Sequence, residues 1–157
     1  MRIDLRPIVF QCSQIIPRSA TETCFEIADT DRWREFRGYG ILPGIESAEY
    51  ERRTDNMIGS RIRVRNTDGS GHVEEIFKWV PGNEIGMKLH EFTSPLNYFA
   101  THFTEEWSFQ DKENATHVTR RSRMFPSRRM TRPIVWLISL LFRRAIVRHL
   151  AEMAATR

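Results

Sequence analysis

Gly59 to Leu89 reads GSRIRVRNTDGSGHVEEIFKWVPGNEIGMKL, and its strand signals alternate with tight turns. From Ser60 to Asn66 basic and apolar residues alternate with the period of two expected of a strand with one wet face. Thr67-Asp68-Gly69-Ser70-Gly71 is hairpin chemistry, because glycine and aspartate accept the backbone angles that reverse a chain. His72 to Val80 runs into a second turn at Pro81-Gly82-Asn83, and Glu84 to Phe92 follows. Connections this short leave no room for a crossover helix, so the strands must pair antiparallel.

The pattern extends in both directions. Upstream, Ile45 to Arg53 ends at the turn-forming Asp55-Asn56, and Ile8 to Ile16 is a β-branched run stopped by Pro17. Downstream, Thr101 to Gln110 and Thr116 to Phe125 complete seven strands, with a loop from Thr93 to Ala100 that contains Pro95. Ser19 stands three residues before Glu22, a capping-box spacing that predicts a helix ending near Asp29 with Cys24, Phe25 and Ile27 inward. Asp31 to Phe36 reads as a second short helix anchored by Trp33 and Phe36, closed by the glycines and proline of Gly38 to Gly44. Arg128 to Ala155 holds no glycine, and its one proline, Pro133, fits the first turn of a long helix. The fold class is α+β: a curved seven-stranded antiparallel sheet, two short helices after the first strand, and one long C-terminal helix.

A chain of 157 residues, 40% hydrophobic and 28% charged, fits one globular domain over residues 1–157. Met1 to Pro7 carries charges and leads into no signal-peptide pattern, so a cytoplasmic location is expected. Cys12 and Cys24 form no disulfide framework and read as small buried hydrophobes. The five histidines lie on separate elements without metal-ligand spacing, so no metal and no cofactor is expected. Gly38-Tyr39-Gly40 with Gly44 imitates a dinucleotide loop but follows a helix and precedes a strand, the wrong context. The net charge is +4, yet Arg61, Arg63 and Arg65 face Glu49 and Glu51 of the preceding strand, a solvated ladder rather than a nucleic-acid surface.

Pro17 to Trp33 (PRSATETCFEIADTDRW), Gly59 to Leu89 and the terminal helix resemble the START-like (SRPBCC) helix-grip superfamily, and within it the polyketide cyclase/dehydrase-like group. The resemblance covers essentially the whole chain. It implies an apolar cavity between the concave face of the sheet and the last helix, used across the superfamily for lipids, sterols, hormones, quinones or polyketides. Some members are enzymes and many only bind, so the residues themselves must decide.

Alternation assigns the inward positions. Phe103, Glu105, Trp107 and Phe109 share one face, as do Ile85, Met87 and Leu89, and Ile62 and Val64 face in between arginines. The same count puts Val73, Glu75, Phe77 and Trp79 together. Arg120 falls opposite or diagonal to Glu105 across the Asp111 to Ala115 loop. On the last helix, steps of about 100° group Phe142, Ile146, Val147, Leu150 and Ala154, with Arg143 near the middle of that face. Charges carried inward must be paired or must meet a polar ligand group. Glu105, Arg120, Arg143 and Glu75 can therefore form a structural ion pair, an anchor for a ligand, or, through Glu105, a catalytic acid–base group.

The expected function is binding of a small hydrophobic molecule against Phe77, Trp79, Met87, Leu89, Phe103, Trp107 and the last helix, with Tyr98 and Phe99 as the gate. An enzyme of the cyclase or dehydratase kind, or a lipid or quinone carrier that touches membranes, are the alternatives. Ile134, Leu137, Ile138 and Leu141 form a second apolar stripe that needs a cover. Intramolecular packing, a homodimer contact and shallow membrane docking between Arg128, Arg129, Arg132, Arg143, Arg144 and Arg148 can each supply one.

Overall fold

The computed structural model describes residues 5–156, so what was expected of Met1 to Asp4 lies outside the described residues. Seven strands form one antiparallel sheet in the order β1-β7-β6-β5-β4-β3-β2: β1 Ile8–Ile16, β2 Ile45–Arg52, β3 Arg61–Asn66, β4 Gly71–Val80, β5 Glu84–His90, β6 Ala100–Lys112 and β7 Ala115–Pro126. Strands β2 to β7 pair in chain order, as their short turns require, while β1 returns to pair with β7. Between β1 and β2 lie α1 (Ala20–Ala28) and a 3-10 segment, Thr30–Glu35. A single helical turn, α2 (Leu96–Phe99), interrupts the β5–β6 loop, and α3 (Arg132–Ala155) ends the fold with Pro133 in its first turn.

Local chemistry fixes the joints. Ser19 caps α1 by accepting from the Glu22 amide at 3.2 Å, although the Glu22 side chain returns no bond, so the expected capping box is one-sided. Trp33 donates from Nε1 to the Ile27 carbonyl at 2.8 Å and ties the 3-10 turn to α1. Arg18, at the end of β1, donates to the carbonyls of Met153 and Thr156 at 2.8 and 2.6 Å and so satisfies the otherwise unpaired C-terminal carbonyls of α3. Phe142 on α3 meets Phe10 of β1 edge to face at 6.0 Å.

The concave face carries Ile62 and Val64 of β3, Ile85, Met87 and Leu89 of β5, and Phe103, Trp107 and Phe109 of β6, all buried. On the other face Arg61 and Arg63 both reach Glu51, at 3.6 and 2.5 Å, as the expected charge ladder requires, while Arg65 reaches Glu46 at 3.3 Å in place of the expected Glu49. Strand β4 departs from simple alternation. Ile76 is opposite Met87 but Lys78 is opposite Gly86, so Phe77 is one residue too many and forms a β-bulge. Before the bulge His72, Glu74 and Ile76 point in while Glu75 faces out beside Arg61. The inward placement of Glu75 and Phe77 is therefore corrected: Phe77 is 43% exposed and its ring lies over Gly86, where an added Cβ would come within 2.5 Å of it. Phe25 is likewise exposed rather than inward, meeting Trp79 edge-on at 6.2 Å.

Candidate functional site

Between the concave sheet and α3 lies a cavity of about 420 Å³, within the range of small-molecule sites. Met87, Leu89, Phe103 and Trp107 form its floor, Phe142 and Met153 of α3 its roof, and Trp33 and Phe36 one wall. It reaches the surface between Leu42-Pro43, the Phe92 to Leu96 loop and the first turns of α3.

An ion pair stands inside this apolar space. Glu105 is 1% exposed, and Nη2 of Arg120 donates to both of its carboxylate oxygens, at 2.8 and 2.7 Å. Arg120 is opposite Trp107 in the register and so diagonal to Glu105, one of the two expected arrangements. Its guanidinium lies over the Trp107 ring, 4.5 Å from the centroid, and 6.0 Å from that of Phe36. Burial pushes the Glu105 carboxyl above the usual carboxylate range, and the positive charge of Arg120 only partly offsets it. Arg120 Nε, Trp107 Nε1, Ser122 Oγ and His149 Nδ1 are buried without a hydrogen-bond partner. Since buried polar atoms ordinarily find partners, this corner has unused donors for a ligand oxygen.

Two further polar groups line the cavity. His149 of α3 packs edge-on against Phe36 at 5.6 Å, and burial together with the nearby Arg120 lowers its pKa to about 3, so the imidazole is neutral at neutral pH. Towards the other side, His72 Nε2 and Glu74 Oε2 stand 3.1 Å apart, both largely buried. This pair is near enough for its charges to act on the Glu105 carboxyl, Glu74 raising its pKa further and His72 lowering it.

Among the residues singled out from sequence, Met87, Leu89, Phe103, Glu105, Trp107 and Arg120 all border this space. Four others do not. Phe77 is turned outward by the bulge. Trp79 points inward but packs on Phe25 at the α1 end, away from the cavity. Tyr98 is 60% exposed, and it is Leu96 and Phe99 of the same turn that border the cavity. Arg143 is exposed because the buried stripe of α3 runs through Val135, Ser139, Phe142, Ile146, Leu150 and Met153, which puts Arg143 on the solvent flank along with Val147. That stripe carries His149 in beside Leu150, and its spacing of three and four was the signal that could have found it. His72 and Glu74 were missed because the bulge reverses the phase of β4. Among the described residues no group of three His, Cys, Asp or Glu side chains is placed to hold a metal.

No protein-family model matches the chain, and no curated protein matches it in sequence. Solved structures do. A START superfamily protein from Mycobacterium smegmatis superposes with a TM-score of 0.64 at 10% identity, over 92% of this chain and 98% of that one. The fold is that of the START-like helix-grip proteins. Ginseng major latex-like protein 151 from Panax ginseng shares this helix-grip architecture (TM-score 0.60, 16% identity, 91% of this chain and 97% of that one). So does the di-domain ARO/CYC BexL of the BE-7585A biosynthetic pathway (TM-score 0.66, 16% identity), where the helix-grip unit here covers 99% of itself and 52% of that chain.

Proposed function

We propose that the protein binds a small, mostly apolar molecule that carries a hydrogen-bond-accepting oxygen, held in the cavity with that oxygen at the Arg120 corner. The observation that carries this reading is the set of unpartnered donors, Arg120 Nε and Trp107 Nε1, in an otherwise apolar cavity of about 420 Å³. A ligand oxygen there would gain charge-assisted bonds at little desolvation cost to the protein, because the donors are already out of water. The lipids and polyketides of the helix-grip superfamily fit that description. The reading includes the one-domain organisation and cytoplasmic location expected from the sequence.

Native mass spectrometry of the purified protein tests it. A retained small apolar molecule is expected, and filling the floor with Leu89→Trp should expel it. A protein that carries nothing and fails to bind fatty acids, sterols, quinones and aromatic polyketides would sink the reading.

A second reading, catalysis of the cyclase or dehydratase kind, has its own observation. Glu105, with a raised carboxyl pKa, and neutral His149 border one cavity, both within the field of Arg120, which is the pairing of perturbed groups that proton transfer needs. Turnover of a linear poly-β-ketone that disappears with Glu105→Gln would favour it over binding alone.

A further inference from the structure

The side of α3 that faces away from the sheet should be polar, but its first half is not. Trp136, Leu137 and Leu140 are 52%, 56% and 42% exposed, and Met130 just before the helix is 86% exposed. No other part of the described chain covers them. Intramolecular packing therefore accounts for only part of the expected stripe: Ile138 and Leu141 turn toward the cavity, while Leu137 stays outside. Ile134 joins the two regions, 38% exposed and also at the cavity mouth, and Ile41, 91% exposed, stands across that mouth. The exposed apolar face and the opening of the cavity are one continuous surface.

Charge identifies what covers it. Arg128, Arg129 and Arg132 precede the apolar segment and Arg143, Arg144 and Arg148 follow it, with no Asp or Glu between Ser127 and Ala151. At 1.5 Å per residue the two arginine groups stand about 16 Å apart along the axis, bracketing the apolar band. Arg144 is braced at its end by the Tyr39 hydroxyl at 2.9 Å, and Arg132 by the Arg6 carbonyl. A second copy of this surface would set two sets of arginines against each other across a two-fold axis, which is unfavourable. Nucleic acid would match the arginines but leave Trp136, Leu137 and Leu140 against a hydrated backbone. An anionic bilayer matches both, with arginines at the headgroups and apolar side chains just below them. No helix among the described residues is long and apolar enough to cross a membrane, so the contact would be shallow.

We infer that the outer half of α3 and the cavity mouth form one docking face for an anionic lipid bilayer. The docking stands on this surface alone; passage of a ligand between bilayer and cavity rests in addition on the binding reading above.

Flotation with phosphatidylcholine vesicles, with and without phosphatidylglycerol, tests it. Retention is expected only with the anionic lipid, and should vanish at about 1 M salt, where the screening length falls to about 3 Å. The pairs Leu137→Glu with Leu140→Glu, and Arg143→Glu with Arg144→Glu, should each lower retention roughly tenfold or more. Leu89→Trp should float like the unaltered protein, so failure of the binding reading leaves this one standing. Should a paired variant not fold, quenching of Trp136 by brominated lipid, with Trp136→Phe as the blank, gives the same answer. No retention of the unaltered protein, or a solution dimer that Leu137→Glu with Leu140→Glu converts to monomer, overturns the proposal.

Discussion

Arg120 lies with its guanidinium carbon 4.5 Å from the centroid of the Trp107 ring, its direct partner across β6 and β7. The ring fixes the plane of the guanidinium, so that one nitrogen serves Glu105 while Nε is left over. A buried pair of this kind does not by itself make a protein stable, since desolvation offsets most of the attraction. Its value here is placement: a charge held at one point of an apolar cavity.

Removing one partner should therefore hurt far more than removing both. Arg120→Met leaves the Glu105 carboxyl buried without its cation and is expected to cost about 3–5 kcal/mol in urea unfolding. Adding Glu105→Gln to that variant should recover a large part of the loss. Equal stability of the single and double variants would mean the pair is not desolvated as described.

Glu105→Gln alone keeps the shape of the side chain and removes its charge. It should change which members of a lipophilic panel bind, by about 1–3 kcal/mol for those with a polar oxygen, and, because it leaves the buried Arg120 guanidinium without its anion, it should also lower the stability in urea by up to about 3–5 kcal/mol. Identical binding across the panel would detach Glu105 from ligand selection.

The pH dependence follows from His149. In the folded protein it titrates at about 3, well below an ordinary histidine at 6.5. Between those values the unfolded chain binds a proton that the folded protein refuses, so this contribution to stability is present above about 6.5 and lost as pH falls, at up to about 1.4 kcal/mol per pH unit. Glu105 works in the opposite direction. Its raised carboxyl pKa contributes stability below the ordinary glutamate value of 4.5 that is lost as pH rises through the folded value. The difference between proteins is the readout: between pH 7 and 5, His149→Gln should lose less thermal stability than the unaltered chain. Parallel melting curves would show that His149 is solvated.

Phe77 supplies a fourth test, on the outside of the sheet. Its ring covers Gly86, so Phe77→Ala should cost about 1 kcal/mol by uncovering that strand, with ligand affinity unchanged. In a Gly86→Ala background, where the new methyl displaces the ring, the further cost of Phe77→Ala should nearly disappear. A drop in ligand affinity on Phe77→Ala would return this residue to the cavity.

The sheet was legible because its turns are chemically explicit and because β6 alternates cleanly: Phe103, Glu105, Trp107 and Phe109 could face only one way together. Arg120 followed from β6 by counting round a short loop. What escaped were changes of phase. Nothing in the residues of β4 announces that Phe77 is supernumerary, and one added residue sent Glu75 outward and Glu74 inward. On α3 the first half is apolar all round, so hydrophobicity did not select the buried side and Arg143 was preferred to His149. Tyr98 and Phe99 are neighbours on one turn, and which of them borders the cavity depends on how that turn docks, a tertiary matter.

The bulge at Phe77 makes β4 two half-strands spliced out of step. Loss of that single residue would leave Ile76 opposite Met87 and Lys78 opposite Gly86 with unbroken pleating, so Trp79 would keep its seat against Phe25 and only the ring over Gly86 would go. A lineage carrying this chain can therefore shed Phe77 and still keep every other side chain of β4 on its own face of the sheet.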